Sequence, residues 1–333
     1  MNDQQMLAVI INRPGGPEVL ELRSVSRPVP ESSEILVRVR ASALNRADLL
    51  QRSGRYPAPP GAPADIPGME FSGEVERIGS AVQLWKPGNR VMGLVAGGAH
   101  AEYVVAHERT VMEIPSNLSW EQAAAIPEAF ITAHDALWVQ AAVRPNERVL
   151  IHAVGSAVGI AATQLARAMG AIPFGTSRTA DKLERAKTFG LELGFLVPAG
   201  PTADDGKAWA ATAGFDVVLD LVGGSYATAS LQALAHRGRI VLIGTMAGAR
   251  SQIDLGLMLG KRARIIGTVL RSRPLEEKIA VTRSFAREVL PLFENHTLTV
   301  VVDREFPIKE IRKAHELMGS NQTFGKIVLR INS

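Results

Sequence analysis

The chain has 333 residues, 46% of them hydrophobic and 21% charged, which is longer than one hydrophobic core usually spans, so two domains are expected. The net charge of +4 comes from 37 basic residues scattered among 33 acids, and aromatics reach only 5%, which argues against a nucleic-acid surface with stacking platforms. There is no cysteine, so disulfides and every zinc site built on thiolates are excluded.

The N-terminus, MNDQQMLAVIINRPGG, lacks the basic start and apolar stretch of a secretory signal. No apolar run approaches the roughly 18 to 20 residues that cross a bilayer. The cytoplasm is the expected compartment. Strand-like runs follow at Met6–Ile11, Glu34–Ala43, Met69–Ile78, Arg90–Gly93 and Ala101–Ala106, divided by Pro and Gly punctuators. The stretch 56–67, YPAPPGAPADIP, holds five prolines and reads as a stiff surface loop. Short strands without helices between them predict a β-rich, barrel-like first domain.

From about Trp120 the rhythm changes. Strand patterns at Arg148–Ala153, Ile172–Ser177, Leu193–Val197, Asp216–Val222, Arg239–Gly244 and Arg264–Leu270 are set against helical patterns at Ala157–Met169, Ala180–Phe189 and Tyr226–Ala235. That alternation predicts βαβ units and a parallel sheet. A long helix is expected over Leu275–Glu294. A strand at Val300–Phe306, a helix at Ile308–Met318 and a strand at Lys326–Ile331 then return the chain to its first domain. The basic residues Lys261, Arg262, Arg264, Arg271 and Arg273 flank the sixth strand and read as a solvated or nucleotide-facing surface.

The strongest local signal is RVLIHAVGSAVGIAATQLARAMG, residues 148–170, in which a strand runs through small residues into a helix. Small residues let the backbone approach a pyrophosphate, and the helix N-terminus offers free N–H groups. Gly155, Ser156, Ala157, Val158 and Gly159 are the expected coenzyme turn, with AxGxxxG spacing in place of GxGxxG. A NAD site usually carries an acid about 20 residues further on, bonding the ribose 2′-hydroxyl. Here the second strand ends in Ser177, Arg178 and Thr179, with Lys182 one turn later, which suits a 2′-phosphate and so NADPH.

The blocks ASALNRADLLQRSGRYPAPPG (41–61), IPGMEFSGEV (66–75), AAAIPEAFITA (123–133), LIHAVGSAVG (150–159), LDLVGGSY (219–226), LRSR (270–273) and FGKIVL (324–329) carry a resemblance over essentially the whole chain. They resemble the NADPH:quinone oxidoreductases of the zinc-free medium-chain dehydrogenase/reductase superfamily, in the branch that includes the tumour-suppressor-inducible member. The resemblance implies a GroES-like catalytic domain over 1–127 and 272–333, interrupted by a Rossmann domain over 128–271, with substrate and nicotinamide in the cleft between them. It implies that the metal-ligand set of zinc-bearing relatives is broken, with Asn45 at the cysteine position and Met69 at the histidine position. It also implies nicotinamide contact at Thr132. Further coenzyme contacts are expected at Val222, Gly244, Leu270, Arg271 and Lys326. No metal is expected.

Hydride transfer places negative charge on the acceptor, and without a Lewis acid the protein must supply donors or use an acceptor that needs little help. Quinones meet the second condition, since their reduction creates an aromatic ring. Asn45, Asp48 and Tyr56 are the expected acceptor-pocket residues. Each has a plainer reading, Asn45 as a helix N-cap, Asp48 as a first-turn carboxylate and Tyr56 as packing under the Pro-rich loop. An enone or enoyl reductase and a non-catalytic NADPH-binding crystallin-like protein are the alternatives. The apolar edge strand Arg264–Leu270 predicts a homodimer.

Overall fold

Residues 34–43, EILVRVRASA, bury Ile35, Leu36, Val37, Val39, Ala41 and Ala43, and this strand is the spine of the first unit. The computed structural model describes residues 4–331 and divides the chain into Met1–Ile131 with Leu270–Ser333, and Thr132–Val269.

In the first unit a seven-stranded sheet runs in the order Val302–Pro307, Lys326–Arg330, Glu34–Ala43, Glu70–Ile78, Arg90–Leu94 and Val111–Glu113, with Tyr103–His107 also paired to Glu34–Ala43. The last strand lies antiparallel to Glu34–Ala43, with Val328 opposite Ala43 and Leu44 N donating to Ile327 O at 2.9 Å. That pairing carries Lys326 to the start of the helix Arg46–Arg52. Val37, Val39, Phe71, Val75, Val91, Ile327 and Leu329 form the core that the sheet encloses.

The second unit is a six-stranded parallel sheet whose strands lie in the order third, second, first, fourth, fifth, sixth, counted from Arg148–Ile151. Strand order reverses between the first and fourth strands, where ligands of such sheets bind. Val149, Leu150, Ile151, Val217, Val218 and Leu219 are fully buried, as strands covered on both faces require.

Several expected elements shift. The hairpin partner Leu20–Ser26 and the helices Ala203–Thr212 and Leu255–Lys261 were not foreseen. The sixth strand stops at Gly267. The long C-terminal helix is two helices, Leu275–Glu288 and Leu290–Glu294, broken at Val289 just ahead of Pro291. Leu270 and Arg271, expected in the Rossmann domain, belong to the first unit. There the Arg271 guanidinium donates to Ala96 O at 2.8 Å and Gln51 Oε1 at 2.6 Å.

Candidate functional site

In the first unit, Asn45 precedes the helix Arg46–Arg52, and its backbone N–H donates to Asp48 Oδ2 at 2.7 Å. Its side chain donates to Glu70 Oε1 at 2.8 Å and Ala43 O at 3.3 Å, and its Oδ1 accepts from Lys326 Nζ at 2.6 Å. Both amide hydrogens are thus committed. Asn45 positions Glu70 and Lys326 and does not offer the free donor expected of it. Asp48, fully buried, spends its other oxygen on Gly68 N at 3.0 Å, so it is a first-turn carboxylate that organises backbone. Gly68 has φ +98° and a Cβ there would lie 2.5 Å from His100 N, so only glycine fits.

Lys326 was expected at the coenzyme. Instead it is 3% exposed and ion-paired with Glu70. Burial pushes the Glu70 carboxyl upward, while Lys326, Glu128 N–H and Asn45 act in the opposite sense. His100 closes the cluster. Ser42 Oγ donates to Glu70 O at 2.8 Å and lies 2.8 Å from His100 Nδ1, so Nδ1 carries the proton. Its Nε2 meets no hydrogen-bond partner and stands 3.8 Å from Asp48, and burial lowers its pKa.

Tyr56 is half-buried with the Arg271 guanidinium 5.0 Å from its ring centre. Burial raises the phenol's pKa and Arg271 opposes the rise, so the hydroxyl is a donor at neutral pH. Arg271 and Leu270 also line an apolar pocket with Leu94, Val95, Ile131 and Lys278.

The remaining expected coenzyme residues gather in the second unit. Gly155, Ser156, Ala157, Val158 and Gly159 follow the first parallel strand, Ser177, Arg178 and Thr179 the second, Val222 the fourth and Gly244 the fifth. Thr132 is half-buried in the helix Pro127–His134, as the first residue of the same unit. Ser156 caps the helix Ala157–Ala168, its Oγ accepting from Gly159 N at 3.1 Å. A Cβ on Gly159 would lie 2.6 Å from Ala153 O, and one on Gly155 2.8 Å from Lys182 Cδ. Both glycines therefore hold the turn close at the N-terminus of this helix, where Ser156 already caps one N–H. Asp181 is turned toward Arg185 at 3.8 Å, leaving Arg178 and Lys182 as the cations nearest the strand end.

Sequence reasoning missed Glu128, whose carboxyl is raised to about 7, chiefly by burial and then by the Glu70 charge. It also missed His152, fully buried and bridging Thr176 Oγ1 at 3.0 Å and Ser230 Oγ at 2.8 Å. Ser230 Oγ donates to Tyr226 O, so His152 Nε2 holds the ring proton, and burial lowers its pKa to about 4. Among the described residues no group of three or more His, Asp or Glu is placed to hold a metal ion.

Residues 31–116 match the alcohol dehydrogenase GroES-like domain and residues 197–329 the zinc-binding dehydrogenase family. A human quinone oxidoreductase is 32% identical over 330 residues, 97% of each chain. The structure of Escherichia coli quinone oxidoreductase complexed with NADPH superimposes with a TM-score of 0.87 at 29% identity, covering 98% of this chain and 100% of that one. CurK enoyl reductase superimposes at 0.85 with 26% identity, covering 98% and 99%. Full-length similarity, the GroES-like domain and the doubly wound sheet together show that this chain belongs to the quinone oxidoreductases of the medium-chain dehydrogenase/reductase superfamily.

Proposed function

We propose that the chain reduces a quinone with NADPH and without a metal. The observation that carries the coenzyme choice is the end of the second parallel strand, Ser177-Arg178-Thr179, where no acid stands to bond a ribose 2′-hydroxyl. When bound, NADPH supplies the hydride. The chain's own residues hold the diphosphate over the Gly155–Gly159 turn, orient the nicotinamide and keep a buried cation, Lys326, within the polar cluster. A quinone fits because its reduction makes a stable aromatic anion and asks mainly for positioning. The similarity to an enoyl reductase makes enone saturation the second reading.

Following loss of NADPH absorbance with benzoquinone and with a simple enone, at equal coenzyme and with a strong chelator present, separates the two. Faster quinone turnover, unaffected by the chelator, is expected. Turnover of the enone alone, or loss of activity on chelation, would overturn the reading.

The sixth strand, Arg264–Gly267, is an edge, with Ile265 38% exposed, and the helix Leu255–Lys261 leaves Leu255 69% and Leu259 78% exposed. A second copy pairing through this edge would cover them, and a homodimer is the proposed assembly. Thr268 N donates inward to Leu242 O, so by alternation Ile266 also faces inward and Ile265 N–H faces out. Ile265→Pro should therefore dissociate the dimer in sedimentation. A native chain that sediments at 35.7 kDa at micromolar concentration would exclude it.

A further inference from the structure

A pocket of the first unit holds unbalanced charge. It encloses about 340 Å³, its mouth included, near the lower end of the roughly 300–1,000 Å³ of small-molecule sites. Leu94, Val95, Ile131, Leu270 and Val281 give it an aliphatic wall, and every lining residue belongs to this unit. Its polar groups are Thr110, Arg271, Lys278 and Thr282, with two cations and no acid among them.

Lys278 and Thr282 stand one turn apart on the helix Leu275–Glu288, so they share a face, with Val281 beside them. The other two polar groups are already engaged. Thr110 Oγ1 donates to His107 O at 2.9 Å, and the Arg271 guanidinium is held by Ala96 O and Gln51 Oε1. Glu276, on the same helix as Lys278, is turned to Arg109 in a bidentate bridge. The Lys278 ammonium and the Thr282 hydroxyl make no hydrogen bond or ion pair with the described residues, although Thr282 is only 5% exposed. Such groups are costly against an aliphatic wall while they lack partners. Burial and the Arg271 charge both push the Lys278 pKa down, an effect that a bound anion would oppose.

We propose that this pocket binds a small apolar carboxylate, with the carboxylate on Lys278 Nζ and Thr282 Oγ1 and the hydrocarbon body along the aliphatic wall. Charge complementarity selects an anion, since a cation would meet Lys278 and Arg271 and a neutral ligand would leave the ammonium unpaired. The wall selects an apolar body, because a strongly hydrated anion such as phosphate would surrender its water to aliphatic side chains. Arg271 links the pocket to Tyr56, an expected acceptor-pocket residue whose carbonyl oxygen it reaches at 3.4 Å. The carboxylate therefore has two possible sources. One is an acid group on the acceptor itself, which rests on the reading of the chain as a quinone reductase. The other is a separate acid, which does not.

Isothermal titration of the full chain with octanoate, octanol and octylamine compares three ligands of one body and different charge. Octanoate should bind at least about tenfold more tightly than octanol, and octylamine more weakly than either. Lys278→Met should weaken octanoate about tenfold and leave octanol unchanged, Lys278→Arg should restore most of the affinity, and Thr282→Val should weaken octanoate about threefold. Val281→Trp, which fills the pocket, should abolish binding of both, and NADPH affinity should be unchanged in every variant. Equal affinities for octanoate and octanol, octanoate binding that Lys278→Met leaves unmoved, or no octanoate binding at millimolar concentration would overturn the site. Benzoquinone turnover separates the sources. Octanoate that raises only the benzoquinone KM points to an acid group on the acceptor, and octanoate that leaves KM constant points to a separate acid. A chain that binds octanoate as described yet reduces no quinone would defeat the functional reading and leave the site standing.

Discussion

Both units bury charge, the second at Asp135, Asp220 and Arg239, but their principal polar clusters differ in kind. The first unit encloses an ion pair: Glu70 and Lys326 have 0% and 4% of their side chains exposed, beside Asp48 and Arg271. The nucleotide unit keeps its most enclosed polar ring neutral, in the His152–Thr176–Ser230 chain, and leaves Arg178 exposed at the strand end. Buried charge is expensive unless fully paired, whereas a neutral hydrogen-bonded ring costs little. The Glu70–Lys326 cluster lies in the unit proposed to handle charge developing on an acceptor, and the exposed Arg178 is the cation proposed for the coenzyme's 2′-phosphate.

The sharpest way to break this comparison is to orphan the buried charge. Lys326→Met leaves Glu70 unpaired and should cost about 3–5 kcal/mol in denaturant unfolding, while Glu70→Leu combined with Lys326→Met should recover most of it. A loss below about 1 kcal/mol in the single variant would mean that the pair is not enclosed. For the neutral node, the sign follows from the depressed pKa. The unfolded chain protonates near 6.5 and the folded His152 only near 4, so its contribution is complete above 6.5 and is lost as pH falls toward 4. That amounts to roughly 3 kcal/mol, and His152→Phe should flatten this part of the stability–pH curve. An unchanged slope would show that the ring is not enclosed. The smallest effect concerns the rim. Arg178→Ala should weaken NADPH about tenfold, for a lost contact of roughly 1.5–3 kcal/mol, and leave NADH nearly unmoved in equilibrium titrations. Equal losses for both coenzymes would remove Arg178 from the 2′-phosphate.

How readable each unit was follows the same division. The parallel strands announce themselves because both faces are buried: Ile172–Ser177 has its expected bounds, and so does Glu34–Ala43 in the other unit. The glycine turn is contiguous, so its chemistry lies within one stretch of chain. Ala203–Thr212 was hidden by Gly206 and by weak periodicity, although Thr202 and Asp205 form a capping box that marked its start. The charged cluster could not be read locally. Asn45, Glu70, Glu128 and Lys326 are brought together by a strand returning from the far end of the chain. In sequence Glu128 looks like any acid compensating a helix dipole, and Lys326 like a surface lysine opening a strand. Enclosure changes their meaning, and enclosure is a property of the fold.

The Pro-rich segment 56–67 has a kinetic consequence. It is tied down at both ends, with Arg271 reaching Tyr56 O at 3.4 Å, Gln51 Nε2 donating to Ala64 O at 3.2 Å, Ile11 N to Asp65 O at 2.8 Å and Gly98 N to Ile66 O at 2.9 Å. Prolines have little backbone freedom to gain by releasing these ties. The segment should therefore behave as a fixed wall instead of a lid that swings on the microsecond-to-millisecond scale. In stopped-flow mixing, an acceptor should bind in one phase whose rate rises linearly with its concentration, with no plateau from a slow closing step.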